Sequence, residues 1–187
     1  SIPLGNMYGE TYGYRSSLSK LMVNHLYQKY LKLKKIVKLK KDSNILDIGS
    51  SDSTFLNFFS NEKKNYNCFG IDPSAKKYSN YYNKDVNLIV DYFSAKAVNS
   101  RVEKLKQKNK KFKLISSFAM FYDINDPNGF CKDIFKLLEK DGLWILEMSH
   151  FPMLLSNLTY DQICHEHVTY YTLDVFKKIA EKNGLKI

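Results

Sequence analysis

Asp47, Gly49 and Asp72 are the residues whose types and spacing first suggest a chemistry. The nine residues Asp47-Ile-Gly-Ser-Ser-Asp-Ser-Thr-Phe55 follow the apolar run Asn44-Ile-Leu46, and Phe69-Gly-Ile-Asp72-Pro73 answers them with an acid 23 positions after Gly49. A buried strand would deliver the chain to a tight turn where Gly49 lets the backbone pass close to a ligand. A second strand would end on a carboxylate able to accept from ribose hydroxyls. The turn lacks the full G-x-G-x-x-G pattern that cradles a pyrophosphate, so an adenosine cofactor without phosphates fits better. S-adenosyl-L-methionine, leaving as S-adenosyl-L-homocysteine, meets that description.

The elements that must position these residues alternate along the chain. Leu18, Leu21, Met22, Leu26, Tyr30 and Leu33 recur at helical spacing, which predicts an amphipathic helix over 17–38 ending in lysines. A strand ending at Asp47 follows, then a helix over 54–59, a strand over 68–72, a short helix over 75–80 and a strand over 87–91. Helix 94–109, strand 112–117, helix 128–138, strand 143–148 and helix 173–183 complete the series. Leu185-Lys186-Ile187 reads as the start of another strand, and the lysine-rich stretch Lys104 to Lys113 as an exposed helix end. This rhythm implies an α/β fold, a doubly wound and mostly parallel Rossmann-like sheet with helices on both faces. Its ligand crevice lies beyond the carboxyl ends of the strands, which gathers Gly49, Asp72, Asp91 and Ser117 around one site. There Asp47 would orient the turn and an amino group, and Asp72 would hold the ribose. Asp91 with Tyr92 and Phe93 would meet the adenine. Ser50, Asp52 and Thr54 of the turn, and Pro73 after Asp72, complete the expected cofactor set.

Composition narrows the classes. The 187 residues are one domain's worth, long enough to bury about two-thirds of the unfolded surface. Cys68, Cys131 and Cys164 form no C-x-x-C pair, so neither a disulfide framework nor a thiolate zinc site is expected, and a reducing cytoplasm is the natural home. No apolar run is long enough for a membrane span, and no signal peptide is evident, so a soluble chain without a membrane partner is expected. The net charge of +10 comes almost entirely from lysine, with Arg15 and Arg101 the two arginines. Base readout leans on arginine, so nucleic acid is not an expected partner. The positive field suits an anionic small molecule such as a nucleotide-linked substrate.

Three segments carry a more specific likeness: Met7-Tyr-Gly-Glu-Thr-Tyr-Gly-Tyr-Arg-Ser16, Ile45 to Leu56, and Tyr160-Asp-Gln-Ile-Cys-His-Glu-His-Val-Thr-Tyr170. Through them the chain resembles class I S-adenosylmethionine-dependent methyltransferases, and more narrowly the nucleotide-sugar C-methyltransferases that act on keto-deoxysugars. The resemblance implies one cofactor-binding domain over 1–187: an N-terminal segment and helix (1–40), a Rossmann-like core (41–149), and a His-Glu-His segment leading into a further C-terminal region (150–187). Complete members of that family add an N-terminal zinc-binding lobe and a C-terminal domain, which suggests that this sequence is a fragment. It also implies a catalytic pair on Glu166 and His167. Carbon methylation requires removal of a proton next to a ketone. His167, whose imidazole titrates near neutral pH, would be the base, with Glu166 the base's alternative orienter. Tyr14 and Tyr122 would donate to the developing oxyanion. Arg15 would meet the cofactor carboxylate or a substrate phosphate. Where the family's turn usually has glycine this chain has Ser53, which must avoid positive φ or accept strain.

Other readings stay open. His165 and His167 at i and i+2 lack the helical spacing of a zinc motif, and no metal is expected. With fourteen tyrosines, Tyr8, Tyr12, Tyr170 and Tyr171 read as structural. His150 could line the pocket, His25 reads as surface or packing, and Cys164 as a small buried residue. An O-methyltransferase would use the same cofactor, and a cofactor-binding or scaffold module without turnover is the third reading.

Overall fold

Strand β1 (Asn44–Ile48) is buried along its whole length because it lies in the middle of a sheet. The computed structural model describes residues 12–107 and 111–187. The first five residues of the Met7–Ser16 segment, Tyr8 among them, and three residues of the lysine-rich stretch lie outside these. Strands β2 (Asn67–Ile71), β3 (Val86–Ile89), β4 (Phe112–Phe118) and β5 (Leu138–Glu147) join β1 in the order β3-β2-β1-β4-β5. Every pairing is parallel, which requires crossover helices. The doubly wound α/β expectation therefore holds.

Side-chain alternation divides the core in two. Ile45, Leu114 and Ile145 point to one face, where they meet Leu26, Tyr30 and Leu33 of α1 (Lys20–Ile36) and Phe55, Leu56 and Phe59 of α2 (Thr54–Ser60). Leu46, Ile48 and Ile115 point to the other face. They pack there on α3 (Ala95–Lys104), α4 (Pro127–Leu137) and α6 (Leu173–Lys182). The turns between elements carry their own signals. Asp126 caps α4 by accepting from the Gly129 amide at 2.9 Å, with Pro127 in the first turn.

Several boundaries differ from the periodicity. The helix expected over 17–38 is a 3₁₀ turn, Ser16–Leu18, followed by α1, because Ser19 is extended and caps α1 with its hydroxyl. The expected helix near 75–80 is a 3₁₀ turn, Ala75–Tyr81. α3 stops at Lys104, and Lys106 takes a left-handed φ of 53°. Lys113 belongs to β4 rather than to a helix end; it is buried and its ammonium bonds the Asp141 carbonyl at 2.9 Å. β3 ends at Ile89, short of Asp91. β5 begins five residues before the expected start, at Leu138 opposite Phe112, and a register shift then separates that pair from Leu114–Leu143. α5 (Phe151–Ser156) has no counterpart in the sequence reading. The last three residues form no strand, and Leu185 packs into the core instead.

Candidate active site

The loop after β1 is built by glycine and by three hydroxyl side chains. Gly49 has φ +73° and its amide donates to the Ile71 carbonyl at 2.9 Å, tying the turn to the end of β2. Ser51 (φ 47°) and Ser53 (φ 64°) take the same left-handed region with a side chain, at about 1–2 kcal/mol each. Ser53 thus accepts strain. Its fully buried hydroxyl donates to Asn57 Oδ1 at 3.0 Å and its amide to the Ser50 carbonyl at 2.8 Å. The Tyr82 hydroxyl pins the turn from below, 2.7 Å from Ser50 Oγ and donating to the Ser51 carbonyl at 3.0 Å. Gly70 on β2 makes room for this: a Cβ there would lie 2.6 Å from Ser50 Oγ. Burial pushes the Tyr82 phenol upward, so it remains a donor.

Beyond this turn lies a cavity of ≈ 730 Å³. Of the expected cofactor residues, Asp47, Gly49, Ser50, Thr54, Asp72, Pro73 and Phe93 line it. Asp72 Oδ1 accepts from the Ser74 amide and hydroxyl at 2.7 and 2.6 Å, and Oδ2 from the Ser51 amide at 2.9 Å. Oδ2 retains capacity for a hydroxyl donor from a ligand. Asp47 stands on the same sheet face as Ser116, whose hydroxyl donates to it at 2.6 Å, a bond to β4 rather than to the Gly49 turn. Burial pushes the Asp47 carboxyl up to about 7, against the lowering by Ser116 and with a further push from the Asp72 charge.

Four expected cofactor residues lie elsewhere. Ser117 points to the opposite face of β4 from Asp47, where its hydroxyl accepts from Trp144 Nε1 at 2.9 Å. Strand alternation decides this, and the sequence-based crevice had ignored it. Asp91 is exposed past the end of β3 and accepts from the Tyr92 amide at 2.8 Å; Tyr92 and Phe93 line the cavity without it. Asp52 sits behind the turn, 1% exposed, accepting from the Thr54 hydroxyl at 2.6 Å and the Ser17 amide at 2.9 Å. Arg15 is drawn to the same carboxylate, its Nε 4.0 Å from Asp52 Oδ2, and stacks on the Tyr81 ring at 4.4 Å. Asp52 and Arg15 therefore fasten the N-terminal segment against the turn, and that segment brings Tyr12 and Tyr14 to the cavity wall.

Tyr122 lines the cavity and His167 packs on it, with ring centroids 4.1 Å apart. The amides of Val168 and Thr169 donate to the Tyr122 carbonyl at 3.0 and 3.1 Å, which fixes the 160–170 segment to the 3₁₀ turn Phe121–Asp123 that follows β4. His167 Nδ1 lies 2.7 Å from the Gln162 carbonyl. A carbonyl only accepts, so Nδ1 carries the proton and Nε2 holds the free lone pair. The group on Nδ1 is thus Gln162, not Glu166. Glu166 is partly exposed, and its carboxyl lies below the usual value through a backbone hydrogen bond, Cys164 and the neighbouring imidazoles. Neither Glu166 nor His167 lines the cavity; His167 is one side chain back from it. Burial, then the Asp123 charge, pushes both Tyr122 and Tyr12 upward, Tyr12 to about 12, so both hydroxyls are protonated donors.

The sequence reading missed Ser51, Ser74, Tyr82, Ser116, Met120 and Glu147. Ser51 and Ser74 flank named motif residues, so position was their available signal. Tyr82 and Glu147 reach the site through tertiary packing and had none. His150 bridges to Tyr171 and does not line the cavity, whereas His25, expected as surface or packing, contacts Glu147 at 2.8 Å. Cys164 is exposed rather than buried.

The residues present fit an adenosine-type cofactor. Ser51 Oγ is buried at the cavity without a hydrogen-bond partner, Asp72 Oδ2 has spare acceptor capacity, and Tyr92 and Phe93 offer aromatic faces. Comparison with known proteins agrees. Residues 22–187 match the methyltransferase domain family. The chain is 24% identical over 143 residues to the C-methyltransferase NovU of Streptomyces niveus, covering 76% of this chain and 33% of that protein. It is therefore similar to about a third of that protein's length. It is 26% identical over 186 residues to carboxy-S-adenosyl-L-methionine synthase of Staphylococcus epidermidis, covering 84% of this chain and 79% of that one. Among solved structures, the methyltransferase bound to the Haloferax volcanii Trm112 methyltransferase activator superposes with a TM-score of 0.66 at 14% identity, covering 89% of this chain and 72% of the other. At that identity the likeness speaks for the fold. The parallel sheet, the Gly49 turn answered by Asp72 and the family match over nearly the whole chain lead to one conclusion: this chain belongs to the methyltransferase domain family, as a class I S-adenosylmethionine-dependent methyltransferase domain.

Proposed function

We propose that this domain methylates carbon next to a ketone on a nucleotide-linked keto-deoxysugar. The observation that carries the reading is His167. Its Nδ1 is committed to the Gln162 carbonyl, its Nε2 is free to accept a proton, and its ring packs on a tyrosine of the cavity wall. The similarity to a C-methyltransferase supports the same choice. Asp72 and Ser51 would hold the ribose side of the cofactor, Tyr92 and Phe93 the adenine, and Asp47 the amino group. When bound, S-adenosylmethionine supplies an electrophilic methyl group.

His167 Nε2 takes the proton from the carbon beside the ketone, and the C–H electron pair becomes an enolate. Tyr122, a protonated donor, hydrogen-bonds the enolate oxygen as charge grows there. Tyr14, half-exposed and lining the same cavity, is the second donor. A cofactor held by Asp72, Ser51 and Asp47 would supply the methyl group to the enolate carbon and would leave as S-adenosylhomocysteine. Because His167 stands one side chain back, the acceptor must reach past the Tyr122 ring. The test is exchange of the ketone-adjacent proton for deuterium. Exchange that disappears in His167→Gln is expected; a methyl ether product without exchange would replace this reading with O-methylation.

The similarity to carboxy-S-adenosyl-L-methionine synthase, over 79% of that protein, favours a second reading in which S-adenosylmethionine itself is the modified substrate. Release of S-adenosylhomocysteine in step with a methylated acceptor decides for the first reading. A modified sulfonium product decides for the second.

A further inference from the structure

Glu147 ends β5 on the sheet face shared by Asp47, Ser116 and Phe118, and it pairs in register with Phe118 at the end of β4. Its carboxylate meets two side chains of α1: His25 Nε2 lies 2.8 and 3.0 Å from its oxygens, and Lys29 forms an ion pair with it. These contacts hold it in place and ionised; burial raises its carboxyl, but Lys29 and His25 outweigh that and leave it below the ordinary value. Glu147 also lines the cavity, beside Met22 and Leu26 of α1, Phe55 of α2 and Phe118. In the strand order it stands three places from β2, whose end carries Asp72, or about 14 Å across the crevice. The cavity therefore has an arm, remote from the Asp72 carboxylate, that is apolar on its walls and carries one carboxylate.

We propose that this arm is an acceptor subsite in which Glu147 accepts a hydrogen bond from a neutral hydroxyl of a sugar ring, the ring's apolar face packing on Met22, Leu26 and Phe118. The charge balance selects the donor. Lys29 already supplies a positive charge, so a second ammonium gains little, while Oε1, which meets His25, keeps a lone pair for a hydroxyl. An apolar wall with one strong acceptor is the pattern that recognises a partly deoxygenated ring. This inference rests on the sugar reading above and adds the place where the ring is read.

Methionine methyl NMR on the whole chain, with ¹³C-methyl methionine, separates the two ends, because Met120 lines the cavity beside Gly49 and Met22 lines the arm. Titration with S-adenosylhomocysteine should move the Met120 signal. Subsequent titration with a thymidine-diphosphate-linked 4-keto-6-deoxysugar should move Met22. In Glu147→Gln, and less in Glu147→Asp, the sugar nucleotide should bind about tenfold more weakly, as loss of a charge-assisted hydrogen bond implies, with the Met120 response to S-adenosylhomocysteine unchanged. A sugar nucleotide that binds without moving Met22, or binds Glu147→Gln as tightly as wild type, overturns the subsite. If Met120 responds to S-adenosylhomocysteine and no signal responds to the sugar nucleotide, the sugar reading falls and the subsite with it.

Discussion

Replacing Asp47 by asparagine should make the domain more stable at neutral and alkaline pH, and the gain should grow with pH in a calculable way. The carboxyl is 4% exposed, accepts from Ser116 and is pushed from 3.8 to about 7 by burial. Folding therefore favours its protonated form. The sign follows from linkage: the contribution is fully present below the unfolded value near 4 and is lost as pH rises through about 7. Between these limits the folded chain holds one proton more than the unfolded chain, so stability falls by about 1.4 kcal/mol per pH unit, to about 4 kcal/mol in total. Internal relaxation makes that total an upper value. Asparagine keeps an acceptor for Ser116 and has nothing to titrate. Urea unfolding of both proteins from pH 4 to 8.5 measures the difference. The two should agree near pH 4, and the variant should lead by a few kcal/mol above pH 7.5. A difference that is flat with pH would refute the burial argument.

Further expectations concern the turn and the core. Gly70→Ala should destabilise by about 1–3 kcal/mol, because its Cβ meets Ser50 Oγ at 2.6 Å, and should weaken S-adenosylhomocysteine binding by moving the turn; thermal melting and calorimetry read the two effects. Ser53→Gly should relieve a left-handed serine at φ 64° and stabilise by up to about 1 kcal/mol after the loss of its Asn57 hydrogen bond, measured by urea midpoint. Phe59→Ala should cost about 3–5 kcal/mol, since the ring is fully buried against Tyr30 and Phe55 at 4.9 and 5.3 Å; denaturant unfolding measures it.

The parallel sheet and the Gly49–Asp72 crevice were legible because they depend on local pattern: short apolar runs, alternation of strand and helix signals, and a glycine beside a strand end. Ser117 was misplaced because a strand's two faces carry different partners, and a residue's face depends on register across β1 and β4, which no local pattern supplies. Asp91 fell outside for a related reason, since β3 ends two residues early and leaves it in solvent. Asp52 and Arg15 were each read as cofactor residues, because their engagement with each other and of Arg15 with Tyr81 depends on how the N-terminal segment folds back. Glu147 and Tyr82 reach the site from β5 and from the 3₁₀ turn before β3, and only the assembled sheet brings them there. α5 escaped because six residues starting with Phe151-Pro152 are too few to show a helical period.

The central claim is that the crevice between the Gly49 turn and Asp72 binds the adenosine cofactor. Calorimetric titration of the chain with S-adenosylhomocysteine, beside Asp72→Ala, tests it most directly. Saturable one-site binding by the wild type, weakened at least tenfold in the variant while the fold is retained by circular dichroism, is the predicted result. Absence of binding by the wild type, or equal affinity in the folded variant, would contradict the account.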